Sequence, residues 1–399
     1  MRRSLLAICC VFLLNRAGEA QTSRPKVDAS QSHGIYLTSA GTIMAWGTNA
    51  GAVFCGGGPQ IPRGAATLQE IPGIAGVADI AVGQHLTFLI MRDGTVFACG
   101  ANSDGQAGVG GPGIAPDYYK KQKIVAKPTP VTGLRNPKQI AVGWNFAVAL
   151  LKDGRVMAWG TARDGILGDG AADPVRPGLV SFPRPVTGIS GVREIAAGQT
   201  FTLALMDDGM VKGWGHSRRG ELGSEAGGIF PKPVTVPGLS GVRHIVSTAY
   251  NAAALLDDGT VRVWGEGQLG MVWSRPGDES VLERNFAQPV KIPGLSQVAA
   301  LYGGFQGTNF IAVLQDGTVR MWGYNGFYQQ GVGNNEEYPV RLASPRVKGV
   351  VSAVSTVNCT YFLLENGKLL NAGTHHGRPR QFSLKIPTEI WPSYPPLPK

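Results

Sequence analysis

The sequence predicts an all-β fold, a seven-bladed β-propeller whose ring closes by pairing of its N- and C-terminal segments. Three observations lead there. A pair of glycines separated by five residues recurs seven times along the chain: Gly41 and Gly47, Gly94 and Gly100, Gly154 and Gly160, Gly209 and Gly215, Gly259 and Gly265, Gly317 and Gly323, Gly367 and Gly373. The chain holds 57 Gly and 27 Pro among 399 residues, yet 43% of it is hydrophobic, which means many turns between many short apolar segments. Those segments alternate or run apolar over about four to eight residues, the length of strands.

The elements follow in chain order. Arg2 and Arg3 precede an unbroken apolar run, Leu5 to Leu14, and Gly18-Glu19-Ala20 ends it with small residues where a signal peptidase cuts. Residues 1–20 are therefore expected to be a signal peptide, since a run that short does not span a bilayer as a helix. Its removal takes away Arg2, Arg3, Arg16 and Glu19 and lowers the formal charge from +10 to +8. No later segment is apolar enough to cross a membrane. The expected location is secreted or periplasmic. Basic residues are spread without a run of five, so no nucleic-acid partner is expected; the bland reading of the charge is solubility or attraction to an acidic envelope. Three cysteines remain, Cys55, Cys99 and Cys359. One bond among them is possible, but the odd, small number favours buried free thiols over a disulfide framework.

Residues 21–388 form the repeats. Each copy offers a strand, a short turn, a second strand, a tight hairpin at Asp-Gly, and a third strand ending in Trp-Gly, as in Asp208-Gly209 and Trp214-Gly215. Asp-Gly suits a hairpin because glycine takes positive φ freely and Asp tolerates it. Trp46, Trp159, Trp214, Trp264 and Trp322 precede the second glycine, with Cys99 and Ala372 in the other two copies. A fourth strand follows a loop of variable length. One such unit cannot bury its sheet alone, whereas seven stacked radially bury both faces of each. The Trp side chains are then wedges between blades. The C-terminal Phe382 to Pro387 resembles the fourth strand that the first copy lacks on its N-terminal side; pairing it with the first blade is expected to close the ring. Residues 389–399, rich in proline, are an exposed tail.

The pattern Ala-x-Gly, Asp-Gly, Trp-Gly, carried by Ala81-Val-Gly83, Asp93-Gly94 and their equivalents, resembles the regulator of chromosome condensation repeat over residues 26 to 388. The Gly-Gln-Leu-Gly of that repeat stands at Gly267–Gly270 and, weakened, at Gly105–Gly108, Gly165–Gly168 and Gly220–Gly223. Trp-Asp and kelch propellers fit worse, in spacing and in glycine pattern. The resemblance implies a rigid propeller that binds other macromolecules; exported relatives include an inhibitor of β-lactamase, and the founding member exchanges nucleotide on a small nuclear GTPase. Export is incompatible with that partner, and no functional residue of the founder is matched here.

Strand parity sorts the loops. Asp-Gly hairpins share one face with short, uniform inter-blade turns. The opposite face carries the Gly198-Gln-Thr type turns and the variable loops Ala101–Lys127, Thr161–Phe182, His216–Phe230, Glu266–Ala287 and Tyr324–Tyr338. Function on a rigid scaffold usually lies in such loops. The candidate binding residues on that face are Tyr118, Tyr119, Lys120, Lys121, Trp144, Arg218, Arg219, Tyr250, Trp273, Phe305, Tyr324, Phe327 and Tyr328, of the types that anchor interfaces. Catalytic and metal motifs are missing: there is no His-Glu-x-x-His, no cysteine pair with zinc spacing, and the repeated Asp are turn formers. No metal, cofactor or catalytic residue is assigned. The expected function is an exported monomeric module that presents its loop face to a protein, as an inhibitor or envelope adaptor. The alternative is a propeller enzyme acting on a polysaccharide or ester with carboxylates around the channel.

Overall fold

Each glycine of the seven repeated pairs has positive φ, 75° to 82° at the hairpin and 94° to 119° after the Trp position. The second value answers a close approach. The N–H following that glycine donates to the carbonyl of the residue before the second strand, as in His216 to Thr200 at 2.8 Å, and a Cβ on Gly215 would strike that carbonyl oxygen. The same bond recurs in all seven copies, at 2.6 to 3.1 Å. Beside it the ladder to the fourth strand slips, between Gly213 and Gly215 in one copy and at the same place in five others. This bulge releases the residue at the Trp position from regular pairing and turns the strand.

The structure, a computed structural model, describes residues 22–56, 64–110, 115–116, 123–170, 179–224, 228–266, 285–336, 342–374 and 384–389. The expected signal peptide and nearly all of the C-terminal tail lie outside these residues. The rest is a seven-bladed β-propeller of antiparallel sheets with strands in sequence order. Blade 4 is representative, with Val192–Ala197, Phe201–Met206, Val211–Ser217 and Gly228–Thr235 running from the channel outward. Blade 2 adds the short strand Ala115–Pro116 at its edge. In blade 6 the described fourth-strand contact is a single bridge, Met321 to Ala343.

The core consists of six apolar clusters, each lying across blade boundaries. All five Trp wedges are at most 1% exposed. Each packs against the blade before it. Trp159 meets Phe88 edge to face at 5.8 Å, and the indole N–H groups of Trp159, Trp214 and Trp264 donate to the carbonyls of Gln106, Ile166 and Glu221 at 2.7 to 3.0 Å.

Two expectations are corrected. The ring does not close by pairing of its terminal segments. Leu384–Glu389 is the fourth strand of blade 7, paired with Leu369–Gly373, and blade 1 has its own fourth strand, Gly64–Glu70. Every blade is one continuous stretch of chain, so no strand is left to swap. Closure is lateral instead: Val27 N donates to Ser352 Oγ at 3.2 Å, and Trp46 Nε1 donates to the Tyr361 hydroxyl at 3.0 Å with the rings 5.0 Å apart.

The second correction concerns the thiols. Cys55 and Cys99 form a disulfide, with Cα atoms 5.4 Å apart, while Cys359 stays free and buried. Cys99 stands where other blades carry the Trp. Cys55 stands where the preceding loop carries the second glycine of its turn: a Cβ on Gly108 would lie 2.7 Å from Trp159 Nε1, and one on Gly168 2.9 Å from Trp214 Nε1. The fold thus brings these two positions together at the wedges of blades 3 and 4. At the blade 1–2 boundary a covalent bond replaces the wedge.

Trp214→Ala removes a fully buried indole and leaves a cavity, so it should lower unfolding free energy in urea by about 3 to 5 kcal/mol; a loss under about 1 kcal/mol would contradict the wedge. The double change Cys55→Ser, Cys99→Ser opens a loop of 44 residues and should cost about 2 to 4 kcal/mol relative to the oxidised protein. Equal melting of the two would show that the bond does not hold this boundary.

Candidate interaction face

The first turn of each blade and its long loop emerge together on one face, as strand parity requires. There the first turns bond to one another around the channel mouth. Trp144 N donates to Gln199 O at 3.2 Å, Gln199 N to Ala249 O at 2.9 Å, and Gln31 N to Gln306 Oε1 at 3.0 Å across the opening. These bonds leave the channel mouth rigid and polar.

In five blades the described start of the long loop is a compact turn. In Gly105-Gln106-Ala107-Gly108, both glycines have positive φ, Asn102 Oδ1 accepts from Ala107 N at 3.1 Å, and Gln106 Oε1 accepts from Asp104 N at 2.8 Å. Two further copies escaped the sequence reading. Ala52-Val53-Phe54-Cys55 and Tyr328-Gln329-Gln330-Gly331 adopt the same turn, with Ala52, Cys55 and Tyr328 at φ of 58°, 60° and 65° in glycine places. The signal available was the capping Asn, since Asn49 and Asn325 accept from Phe54 N and Gln330 N as Asn102 does. In blade 4 a carboxyl, Glu221, replaces the glutamine. Glu221 Oε2 accepts from Arg219 N at 2.6 Å, and Oε1 is buried without a partner. Burial pushes its carboxyl up to about 7, against the opposing pull of that N–H bond and of the Arg219 charge.

The sequence-derived candidates divide. Trp144 is 44% exposed at the first turn of blade 3. Arg218 and Arg219 are exposed; Arg219 pairs with Glu266 at 2.8 Å and lies 5.6 Å over the Tyr250 ring, while Arg218 approaches Asp164 at 4.0 Å. Tyr324, Phe327 and Tyr328 are half-buried. Tyr324 packs on Phe327 at 6.0 Å, and Lys385 of blade 7 lies 5.8 Å over Tyr328, so these rings serve their own loop as well as its surface. Phe305 is only 8% exposed and lines the channel, which removes it from the face. Tyr118, Tyr119, Lys120, Lys121 and Trp273 lie outside the described residues. Trp144, Tyr250 and Tyr324 converge on one cavity at the channel mouth.

The channel itself encloses about 590 Å³ between the seven innermost strands. One register position on those strands carries Lys26, Asp79, Gln139, Glu194, His244, Ala300 and Ser352. Most of these stitch adjacent blades. Lys26 pairs with Asp79 at 2.8 Å, Gln139 exchanges two bonds with the Ile195 backbone, and His244 bonds Glu194 at 2.7 Å and Leu301 O at 2.9 Å. Both His244 partners are acceptors, so both ring nitrogens carry protons. Burial opposes that charge, but Glu194 and the Leu301 carbonyl outweigh it and raise the imidazole. Asp28 takes N–H groups from Val82 and Ala29, and burial raises it to about 6. The channel carboxylates Asp28, Asp79 and Glu194 are thus committed to ties between and within blades. Among the described residues no cluster of metal-ligating side chains occurs, and no helix is long and apolar enough to cross a membrane.

Comparison with known proteins agrees with the repeat reading. Two family models described as the Regulator of chromosome condensation (RCC1) repeat match, one over residues 77–106, 138–165 and 192–221, the other over 93–150 and 153–205. The Ultraviolet-B receptor UVR8 of Arabidopsis thaliana is 29% identical over 350 residues, 84% of this chain and 74% of its own. Protein pim1 of Schizosaccharomyces pombe is 29% identical over 211 residues, 48% of this chain and 36% of its own. Among solved structures, Prp20p from Saccharomyces cerevisiae superposes with a TM-score of 0.72 at 18% identity, covering 94% of this chain and 88% of that one. Human WBSCR16 superposes with a TM-score of 0.71 at 21% identity, covering 86% and 87%. At these identities the structural likeness establishes the fold alone.

Glu221, Asp28 and His244 all hold protons more tightly when folded. Stability they contribute is full below their unfolded pKa values and is lost as pH rises through the folded ones. The protein should therefore lose stability between about pH 5 and pH 8. Glu221→Gln supplies the amide that blades 2 and 6 carry as Gln106 and Gln329, so it should flatten part of that slope and gain about 2 kcal/mol at pH 8, read by urea unfolding across pH. A Gln variant less stable than the parent at pH 8 would rule out the protonated carboxyl.

Proposed function

We propose that this chain, whose repeats match the models described as the Regulator of chromosome condensation (RCC1) repeat, is an exported, monomeric interaction module that holds a protein partner on its variable-loop face. The observation that carries the reading is the asymmetry of the two faces. The hairpin face is built from near-uniform Asp-Gly and inter-blade turns. The other face has loops of widely different length, an exposed Trp144 and the exposed pair Arg218 and Arg219. Trp and Arg are the side chains whose loss most often weakens interfaces. The solved relatives add support by analogy: Prp20p is described as binding Gsp1p and histones, and a complex with Kap60 is known. Export rests on the apolar N-terminal run, and a Cys55–Cys99 bond fits an oxidising compartment. Inhibition of a secreted enzyme or attachment within an envelope would both use such a face.

The partner is to be captured from the envelope and secreted fraction of the producing organism on the immobilised full chain. The combined change Arg218→Ala, Arg219→Ala should weaken its binding by about 2 kcal/mol or more, roughly 30-fold. Asp208→Asn with Asp258→Asn, whose side-chain oxygens cap Met210 N and Thr260 N on the hairpin face at 2.9 and 2.8 Å, should change it little. The reverse result would move the binding surface to the hairpin face.

A further inference from the structure

We propose that the cavity at the channel mouth is a binding site for a neutral sugar, one or two rings at the end of a glycan. The cavity holds about 350 Å³, near the lower end of the range for small-ligand sites. Its walls include Trp144, Tyr250 and Tyr324, and its polar groups include Gln31, Gln199 and Glu266. A sugar ring has an apolar C–H face and a rim of hydroxyls that both donate and accept. Aromatic rings cover the first. Side-chain amides, which both donate and accept, match the second.

Three features favour this ligand over others. The side-chain amides of Gln31 and Gln199, the Tyr250 hydroxyl and the Trp144 indole N–H make no hydrogen bond among the described residues, so they are available without breaking an existing contact. The charge near the site is already balanced, because Glu266 is paired with Arg219 at 2.8 Å; an ionic ligand would have to break that pair. The base is pre-formed, since Gln306 is 3% exposed and anchored to Gln31 N, and the Gln199 backbone is held by Trp144 N and Ala249 O. Little ordering is then required on binding. The site shares Trp144 with the proposed protein-binding face, while Gln31 and Gln199 belong to the cavity alone.

The test is calorimetric titration of the full chain with maltose, cellobiose and diacetylchitobiose, with glucosamine and glucuronic acid as charged counterparts. At least one neutral disaccharide should bind with a Kd of about 1 mM or tighter. Trp144→Ala and Gln199→Ala should each weaken it about tenfold with unchanged melting. Gln199→Ala loses no bond within the protein, so it reports on binding even if the Trp change disturbs the turn. Arg218→Ala, which lies outside the cavity, should leave sugar binding intact and affect only capture of a protein partner. Absence of binding by all three neutral sugars at about 10 mM, tighter binding of a charged sugar, or indifference to both substitutions would each overturn the proposal.

Discussion

A buried indole N–H that reaches the carbonyl of a tight turn in the preceding blade fastens the blade 2–3, 3–4 and 4–5 boundaries. Trp159, Trp214 and Trp264 all make this bond, to Gln106, Ile166 and Glu221. The contact ties three local features together. The bulge at Trp-Gly frees the indole from the ladder, the glycine-flanked turn lets backbone approach it, and the apolar faces of two sheets close around it. Removing any one would leave a buried N–H unpaired or a void between blades, and either costs stability in a close-packed interior.

Two boundaries replace that bond with another link, while the buried indole N–H of Trp322 has no partner among the described residues. At the blade 1–2 boundary both partners change together, Trp to Cys99 and glycine to Cys55, and the hydrogen bond becomes a covalent one. At the first blade the wedge Trp46 donates to the Tyr361 hydroxyl of the last blade, a lateral link where the ring closes without a swapped strand. Around the channel a second belt works in parallel. Polar side chains at one register of the inner strands reach the next blade, and the His244 proton is held there by acceptors on both sides against the pull of burial. Because wedge and belt carry the stability, the long loops are free to vary in length and content beyond their first compact turn. The face that varies is the one where the channel mouth, Trp144 and the arginine pair are exposed.

The sequence by itself determined the number of blades, the strand order within each, the buried state of the five tryptophans and the sorting of turns onto two faces. These follow from local rules: fixed offsets between turn glycines, alternation along strands, and parity of connections. It also pointed to Trp144, Tyr250 and Tyr324, because the turn and loop positions of an up-and-down sheet are fixed by counting. What only the tertiary structure decided involves residues far apart in the chain. The pairing of Cys55 with Cys99 depends on where one blade's loop meets the next blade's third strand. The home of Leu384–Glu389 depended on which blade owned a fourth strand, and composition could not distinguish blade 7 from blade 1. The convergence of three aromatic residues from blades 3, 5 and 6 on one cavity, and the raised carboxyl of Glu221, depend on burial. Burial is a property of the closed ring, not of any single repeat.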